Sequence, residues 1–249
     1  MADPAARVAG DGSATGSLMK LKDYTPARVG LGIAGDSLPT AALLDFRLAH
    51  ARARDAVHLP LDTVTLADEM RAAGFTPVFL RSSAANRDEY LRRPDKGRRL
   101  NEEDARSLAR VNHKTAIIVA DGLSALAVHR HAVPLLKEIA PDKTLPIFVV
   151  QQGRVAIGDH IGELSNAELS IVILGERPGL TTPDSLGIYI TWNPRPGRTD
   201  AERNCISNIH DQGLSYAEAA RRVAFLTGEA RKRKLTGVAL KDSTDKRIE

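Results

Sequence analysis

The residues best suited to binding chemistry follow the apolar run at positions 169–174, whose sequence is LSIVIL. The sequence GERPG comes directly after this run, at positions 175–179. A short apolar run rich in β-branched residues and stopped by Gly and Pro is typical of a buried strand. Because Pro178 favours an extended conformation for the residue before it, Glu176 and Arg177 are expected at the carboxyl end of that strand. Open α/β sheets bind ligands at this end, so the sequence predicts a binding site there.

Two further apolar runs end in the same way, in AIIVADGLS at positions 116–124 and in PIFVVQQGRV at positions 146–155. Glycines in such turns let a ligand approach the backbone, and the side chains of Gln151, Gln152 and Glu176 can bind amide groups. Since the carboxyl ends of parallel strands meet at one edge of a sheet, the three ends are expected to form one polar rim. Such a rim suits a large ligand that carries amides.

The chain lacks the patterns of a self-sufficient catalyst, such as a nucleophile elbow, a phosphate-binding loop or an H-E-x-x-H pair. Cys205 has a basic residue nearby and His210 five residues later, so a thiol nucleophile is one interpretation. No general-base arrangement accompanies the thiol, which favours a small packing or ligand-facing residue. His129 and His131 are two apart on a predicted helix and point in different directions. Neither a catalytic residue nor a metal site is therefore predicted in this chain.

A glycine-rich sequence near the amino terminus, RVGLGIAG at positions 28–35, contains the G-x-G-x-x-G spacing of dinucleotide-binding turns. Asp55 lies twenty residues after it, as the acidic residue of that fingerprint does. Only a short run precedes the glycines, however, and Asp55 falls inside a predicted helix rather than at the end of a strand. A turn is therefore favoured. A nucleotide-dependent oxidoreductase using Gly30, Gly32 and Gly35 remains an alternative, as does a non-catalytic interaction protein with the same fold.

The composition is that of a globular protein, with 43% hydrophobic and 27% charged residues among 249. No apolar run approaches the roughly 20 residues that span a bilayer, so no membrane association is predicted.

A formal charge of +4 and only ten aromatic residues (four Tyr, five Phe, one Trp) give little material for binding nucleic acid. The single cysteine and the absence of a signal pattern in the first eighteen residues predict a cytoplasmic location.

The pattern of elements predicts the fold class. Strands at 116–120, 146–150, 169–174 and 186–192 alternate with helices, which is typical of an α/β protein with a doubly wound, Rossmann-like parallel sheet. Before them, residues 40–58 read as a helix with Leu44, Leu48 and Ala51 on one stripe, and residues 76–80 as a short strand. The domains predicted from these elements are a flexible tail at 1–18, a mostly helical lobe with a basic segment at 19–100, a Rossmann-like domain at 101–235 and a carboxyl-terminal tail at 236–249.

The basic segment ends the predicted lobe, and its five cations lie within residues 92–99. Such a segment is either a solvated linker or a docking surface for an acidic partner, and composition alone favours the linker.

At these same segments the sequence resembles the small (light) subunit of ethanolamine ammonia-lyase, an adenosylcobalamin-dependent bacterial enzyme. The resemblance covers nearly the whole chain after the tail, and the order of the segments carries it more than any one of them. The segments are GDSLPT (35–40), LDFRLAHA (44–51), RPDKGRRL (93–100), DGLS (121–124), GRV (153–155), GERPG (175–179) and RNCISNI (203–209).

The resemblance implies a chain that helps to bind adenosylcobalamin at its interface with a large, barrel-shaped subunit. The family's cobalamin contacts fall on Val155, Glu176 and Cys205, within the Rossmann-like domain. The implied reaction converts ethanolamine to acetaldehyde and ammonia by a radical mechanism, with ethanolamine bound mainly by the large subunit. The pattern DHIG at 159–162 departs from the D-x-H-x-x-G of corrinoid proteins whose His replaces the lower base, which agrees with a base-on cofactor. A location inside a bacterial microcompartment stays open beside the cytoplasm.

Overall fold

The computed structural model describes residues 21, 23–25, 27–108, 113–140, 143 and 145–244. In this part of the chain, six strands form one sheet in the order β1-β3-β2-β4-β5-β6. The strands are β1 (Thr76–Arg81), β2 (Thr115–Ala120), β3 (Pro146–Gln151), β4 (Leu169–Gly175), β5 (Leu186–Trp192) and β6 (Arg203–Ile209). The α-helices are α1 (Thr40–His58), α2 (Thr63–Ala72), α3 (Arg87–Arg92), α4 (Glu102–Leu108), α5 (Ala125–Ile139), α6 (Ile157–Leu164) and α7 (Tyr216–Arg233).

The sheet is mixed rather than wholly parallel. Strands β1, β3, β2 and β4 are parallel, as predicted, but β5 is antiparallel to both β4 and β6. The prediction of a parallel β5 is therefore wrong. The strand β5 runs antiparallel to β4 because residues 176–185, which connect them, contain no helix. This connection is too short for the crossover that a parallel pair requires. The predicted short strand at 76–80 is confirmed as β1, at the edge of the sheet beside β3.

Alternate residues of the central strands supply two buried layers, one on each face of the sheet. On the first face, Ile117 and Val119 pack with buried residues of α2, α5 and α7. On the second face, Ile118 and Ala120 pack with Leu108 of α4 and with Ile157 and Ile161 of α6. Strands covered on both faces need no polar alternation, which explains why β2 and β4 read as continuous apolar runs.

The chain forms two compact units. The first comprises the described residues up to Ala53 together with residues 179–181, and the second comprises the described residues of 54–178 and 182–249. The predicted boundaries at residues 18, 100 and 235 stay predictions of domain organisation.

In the first unit, the glycine-rich sequence at 28–35 forms turns, with positive φ angles at three of its glycines and no strand before it among the described residues. The interpretation as a turn is confirmed. The predicted helix at 40–58 is confirmed as α1, but Leu44 and Leu48 are 57% and 50% exposed. Leu44 and Leu48 of this apolar stripe are therefore left about half uncovered by the residues that the structure describes.

A buried ion pair fixes the edge strand β6 to α6. The two terminal nitrogens of Arg203 donate to the two carboxylate oxygens of Asp159 at 2.7 Å each, and both side chains are 2% exposed. Arg203 also donates to the Thr191 hydroxyl and to the Arg198 carbonyl oxygen. Burial raises the pKa of Asp159, and the adjacent Arg203 guanidinium partly offsets that rise. The pair therefore sets where the first residue of β6 lies against α6.

We expect Asp159→Asn to lower the free energy of unfolding of the full chain by about 3–5 kcal/mol, because it leaves the Arg203 charge buried without a counter-charge. Urea denaturation followed by circular dichroism measures the change. Asp200→Asn is the matched control, since Asp200 contacts the same guanidinium at 3.4 Å but its side chain is 99% exposed. The control should lose less than about 1 kcal/mol. Equal losses in the two variants would contradict the structural role of the pair.

Candidate functional site

The carboxyl ends of β2 and β3 are covered by the chain's own helix α3. Arg87 of α3 donates to the carboxylate of Asp121 at 3.3 Å and to the carbonyl oxygen of Gly122 at 2.8 Å. Tyr90, which is fully buried, donates its hydroxyl to the carbonyl oxygen of Gly153 at 3.0 Å. The three strand ends do meet, since the Gly153 N–H donates to the Asp121 carboxylate and the Leu123 N–H to the Gly175 carbonyl oxygen. The expectation that together they form a rim open to a ligand is wrong, because α3 covers two of them.

The glycines at these ends serve contacts between loops. A Cβ built on Gly122, whose φ is +53°, would lie 2.2 Å from the carbonyl oxygen of Gly175. A Cβ on Gly175 would lie 2.2 Å from the carbonyl oxygen of Ser124. Such distances exclude a side chain at either position, so these glycines are required by packing rather than by a ligand. Ser124 itself caps α5, because its hydroxyl oxygen accepts from the backbone N–H of Ala127.

The polar side chains at these ends are used within the chain. Burial raises the pKa of Asp121 to about 6, although the neighbouring Arg87 opposes the shift. The amide of Gln152, oriented so that both of its atoms are satisfied, donates to the Ala84 carbonyl oxygen and accepts from the Arg87 N–H. These groups are therefore structural. The polar group to consider next is the Glu176 carboxylate, at the carboxyl end of β4.

Glu176 follows β4 and is half-buried. Its Oε2 accepts from the Ser185 hydroxyl at 2.6 Å and from the Asn208 N–H at 3.2 Å. No donor among the described residues reaches its Oε1. A Cβ built on Gly187, the neighbouring residue of β5, would lie 2.9 Å from that oxygen, so the glycine makes room for the carboxylate. Glu176 thus presents one carboxylate oxygen, held in place through the other, as a hydrogen-bond acceptor.

Cys205 lies in the middle of β6 and is exposed. It pairs with Tyr189 of β5, which pairs in turn with Val172 of β4. Because side chains alternate along a strand, all three residues project from the same face, the one covered elsewhere by α6. Glu176 is on this face as well, since a Cβ built on Gly187, two residues before Tyr189 in β5, would lie 2.9 Å from the Glu176 Oε1 and 3.3 Å from the Tyr189 ring. The structure therefore brings Glu176 and Cys205 to one side of the sheet.

Val155 completes this side. It lies in the turn directly before α6, is half-buried and packs against the apolar layer that includes Val172 and Leu174. The three residues predicted to contact a ligand thus come from a helix start, a strand end and an edge strand that share one face. We call the surface formed by Val155, Glu176, Gly187, Tyr189 and Cys205 the ligand face.

Tyr189 is the residue of the ligand face that the sequence analysis missed. Burial, followed by the neighbouring Cys205 thiol and the charges of Glu176 and Asp200, raises the pKa of its hydroxyl. The phenol therefore stays neutral at physiological pH and presents an aromatic ring with a hydroxyl donor. A tyrosine within an otherwise apolar strand was the available signal, although only the pairing of β5 with β6 shows which face it occupies.

The thiol of Cys205 has no catalytic partner among the described residues. Its sulfur lies 3.1 Å from the Ser207 hydroxyl oxygen. His210, the histidine nearest in sequence, instead has its Nε2 3.0 Å from the Asn208 side-chain oxygen, and its Nδ1 accepts from the Gln212 N–H. This geometry favours a ligand-facing thiol over a nucleophile. No group of three metal-ligating side chains occurs in the part of the chain that the structure describes.

The chemistry of the ligand face fits one side of a large, flat ligand with peripheral amides. A fixed carboxylate oxygen accepts an amide N–H, while the ring of Tyr189, the thiol of Cys205 and the methyls of Val155 offer apolar contact. Cys205 and Ser207 are exposed, so the face covers a ligand from one side only. Since binding sites bury most of a ligand's surface, a second wall is required.

The fold defines a mixed α/β protein with a six-stranded, mostly parallel sheet. The family model described as "Ethanolamine ammonia-lyase light chain (EutC)" matches residues 15–241, and the chain belongs to this family. It is therefore a lyase subunit, and a small subunit implies a large-subunit partner.

Proteins similar to the chain over most of their length are described as small subunits of ethanolamine ammonia-lyase. The "Ethanolamine ammonia-lyase small subunit" of Pseudomonas syringae pv. tomato is 52% identical, over 90% of this chain and 82% of its own. The proteins so named from Azotobacter vinelandii and from Xanthomonas campestris pv. campestris (strain B100) are 53% and 52% identical, each over 91% of this chain and 88% of its own. In the described residues, no helix has the length and apolar character needed to cross a bilayer.

We expect Arg87→Met to destabilise the full chain by about 3–5 kcal/mol at pH 7.5, because it leaves the Asp121 carboxylate buried without its counter-charge. The pKa of Asp121, already above its unfolded value, should rise further. The loss should therefore shrink as pH falls through the raised pKa, since a protonated Asp121 needs no cation. Urea titrations at pH 7.5 and pH 5 measure both effects.

Arg92→Met is the control, because Arg92 lies on the same helix, is exposed and, among the described residues, its side chain bonds only to the Asp88 carbonyl oxygen. It should change stability by no more than about 0.5 kcal/mol. A loss in Arg87→Met that is the same at both pH values would show that the ion pair is not its cause.

Proposed function

We propose that this chain is the small subunit of an adenosylcobalamin-dependent ethanolamine ammonia-lyase and that its ligand face holds the cobalamin against the large subunit. The observation that supports this most is the arrangement of Glu176, whose Oε2 is anchored by Ser185 and Asn208 while its Oε1 has no donor among the described residues. An anchored, unused acceptor beside an aromatic ring and an exposed thiol suits the amide-bearing rim of a corrin ring. Family membership supports the same conclusion.

Each residue of the ligand face has a distinct role in this proposal. Glu176 accepts a hydrogen bond from a peripheral amide N–H of the corrin through Oε1. Cys205 and Tyr189 contact the ring from the edge of the sheet, and Val155 packs against it from the start of α6. When bound, adenosylcobalamin supplies the radical chemistry that converts ethanolamine to acetaldehyde and ammonia, while protein groups bind and orient it. The chain supplies no catalytic residue and no metal ligand in this proposal.

The large subunit provides the second wall of the site, and ethanolamine is bound mainly by residues of that subunit. Two features of this chain favour extensive cover by another protein. Leu44 and Leu48 of α1 are about half exposed, which is unusual for an apolar stripe on a helix. Arg92 and Arg93 are exposed on the basic segment, which remains a candidate docking surface for acidic groups.

The fold is proposed to be a doubly wound, Rossmann-like arrangement with an added antiparallel edge. Four parallel strands and buried apolar layers on both faces support it. Residues 101–235 are then the cobalamin-contacting domain. A cytoplasmic location is proposed, with a bacterial microcompartment as the alternative.

Reconstitution tests the function. The chain, a large subunit of the same family and their mixture are each incubated with adenosylcobalamin and passed through gel filtration, and retained corrinoid is read from its absorbance. Only the mixture should retain the cofactor and release ammonia from ethanolamine, because the ligand face is half of a site. Deamination by the 249-residue chain alone, or an active mixture that retains no corrinoid, would contradict the proposal.

The same mixture tests the residue that supports the proposal most. Glu176→Ala should weaken adenosylcobalamin binding by about 1.5–3 kcal/mol, the range for a hydrogen bond to a charged group. Ser185→Ala is the control, because it removes the donor to Oε2 and leaves Oε1 in place, so its effect should be clearly smaller. Unchanged affinity in assembled Glu176→Ala, or equal losses in the two variants, would remove Glu176 from the site.

A further inference from the structure

A cavity of about 450 Å³ opens beside the ligand face and shares Val155 with it. Three segments of the second unit form its walls: the 3₁₀ turn Lys96–Arg98 with its surroundings, the turn before α6, and the loop before β6. Its size is within the range of small-molecule sites. Four of the side chains that line it are arginines and one is an aspartate, namely Arg98, Arg154, Arg198, Arg203 and Asp200.

Two of the four arginines are already neutralised. Arg203 is paired with Asp159, and its Nε lies 3.4 Å from the carboxylate of Asp200. Arg198 is paired with Glu202, and its Nε donates to the Asn193 carbonyl oxygen. These two guanidinium groups therefore build the wall and carry little uncompensated charge.

The other two arginines have no acidic partner among the described residues. Arg154 is held with its guanidinium carbon 4.5 Å from the centroid of the buried Tyr90 ring, and its Nε is buried without an acceptor. The guanidinium of Arg98 makes no hydrogen bond to described residues. The backbone N–H groups of Val155 and Ala156, at the amino end of α6, likewise donate to no described acceptor. Two cations and a helix start that face one cavity favour an oxyanion.

We propose that Arg98 and Arg154 bind the phosphodiester in the nucleotide tail of the bound cobalamin. This rests on the proposed function, because the cavity adjoins the ligand face through Val155 and the tail extends from the corrin that this face holds. A phosphodiester carries one negative charge and two free oxygens, which matches two guanidinium groups that lack partners. An acidic side chain of the large subunit is the competing occupant, and the experiment distinguishes it.

The test uses the assembled complex and two corrinoids that differ only in the phosphate, cobinamide and cobinamide phosphate. The native complex should bind the phosphate form about tenfold more tightly. Because Arg154 remains, Arg98→Gln should reduce that preference by about threefold or more and weaken adenosylcobalamin binding by a similar factor. Arg98 is exposed and makes no side-chain hydrogen bond to described residues, so the variant should fold. Arg99→Gln is the charge-matched control, because Arg99 is also exposed but does not line the cavity, and it should keep the preference.

Equal binding of the two corrinoids by the native complex, or an undiminished preference in Arg98→Gln, would overturn the inference while leaving the proposed function intact. If neither truncated corrinoid binds measurably, the dissociation constants of adenosylcobalamin decide, and equal values in Arg98→Gln and Arg99→Gln would overturn it. Weaker association of Arg98→Gln with the large subunit in the absence of corrinoid would assign the cavity to an acidic group of the partner. A native complex that binds no adenosylcobalamin would instead refute the proposed function itself.

Discussion

The buried pair between Arg203 and Asp159 is the interaction on which the rest of the site depends. Strand β6 is an edge strand in which Cys205, Ser207 and Asn208 are exposed. Apolar packing alone therefore contributes little to fixing its position on the second face of the sheet. Arg203, at its first residue, is bound through both terminal nitrogens to Asp159 in α6. Because α6 begins just after Val155 and β6 contains Cys205, this one contact sets the distance between two walls of the ligand face. Burying both charges is costly, and that cost is offset only while both partners are present.

A second constraint decides where the ligand face lies. In open α/β sheets, ligands bind at the carboxyl ends of the parallel strands. Here α3 covers the ends of β2 and β3 with Arg87 and Tyr90. The loops beneath pack so closely that Gly122 and Gly175 tolerate no side chain. This leaves β4 and the antiparallel strands β5 and β6 as the proposed place of binding. The exposed part of the second face at Cys205 remains for a partner to cover.

Much of this arrangement could be predicted from the sequence, because its signals are local. Continuous apolar runs identified β2, β3 and β4, and the break after β4 placed Glu176 at a strand end. Strand β6 was not predicted, since Ile206 and Ile209 are separated by polar residues that face solvent or ligand. The direction of β5 depends on a loop length that the sequence analysis did not weigh. The contacts of Arg203 with Asp159, 44 residues away, and of Arg87 with Asp121 join distant segments, and a single sequence carries no local signal for such pairs.

We propose that the exposed middle of β6 is the floor of a cobalamin site completed by a large subunit. Cys205 is the only cysteine of the chain and is exposed, so its alkylation by iodoacetamide, followed by mass spectrometry of its peptide, reports directly on what covers it. In the assembled complex, alkylation should be markedly slower with adenosylcobalamin than without it, because the corrin would lie against the thiol. An alkylation rate that is the same with and without saturating cofactor would contradict the account.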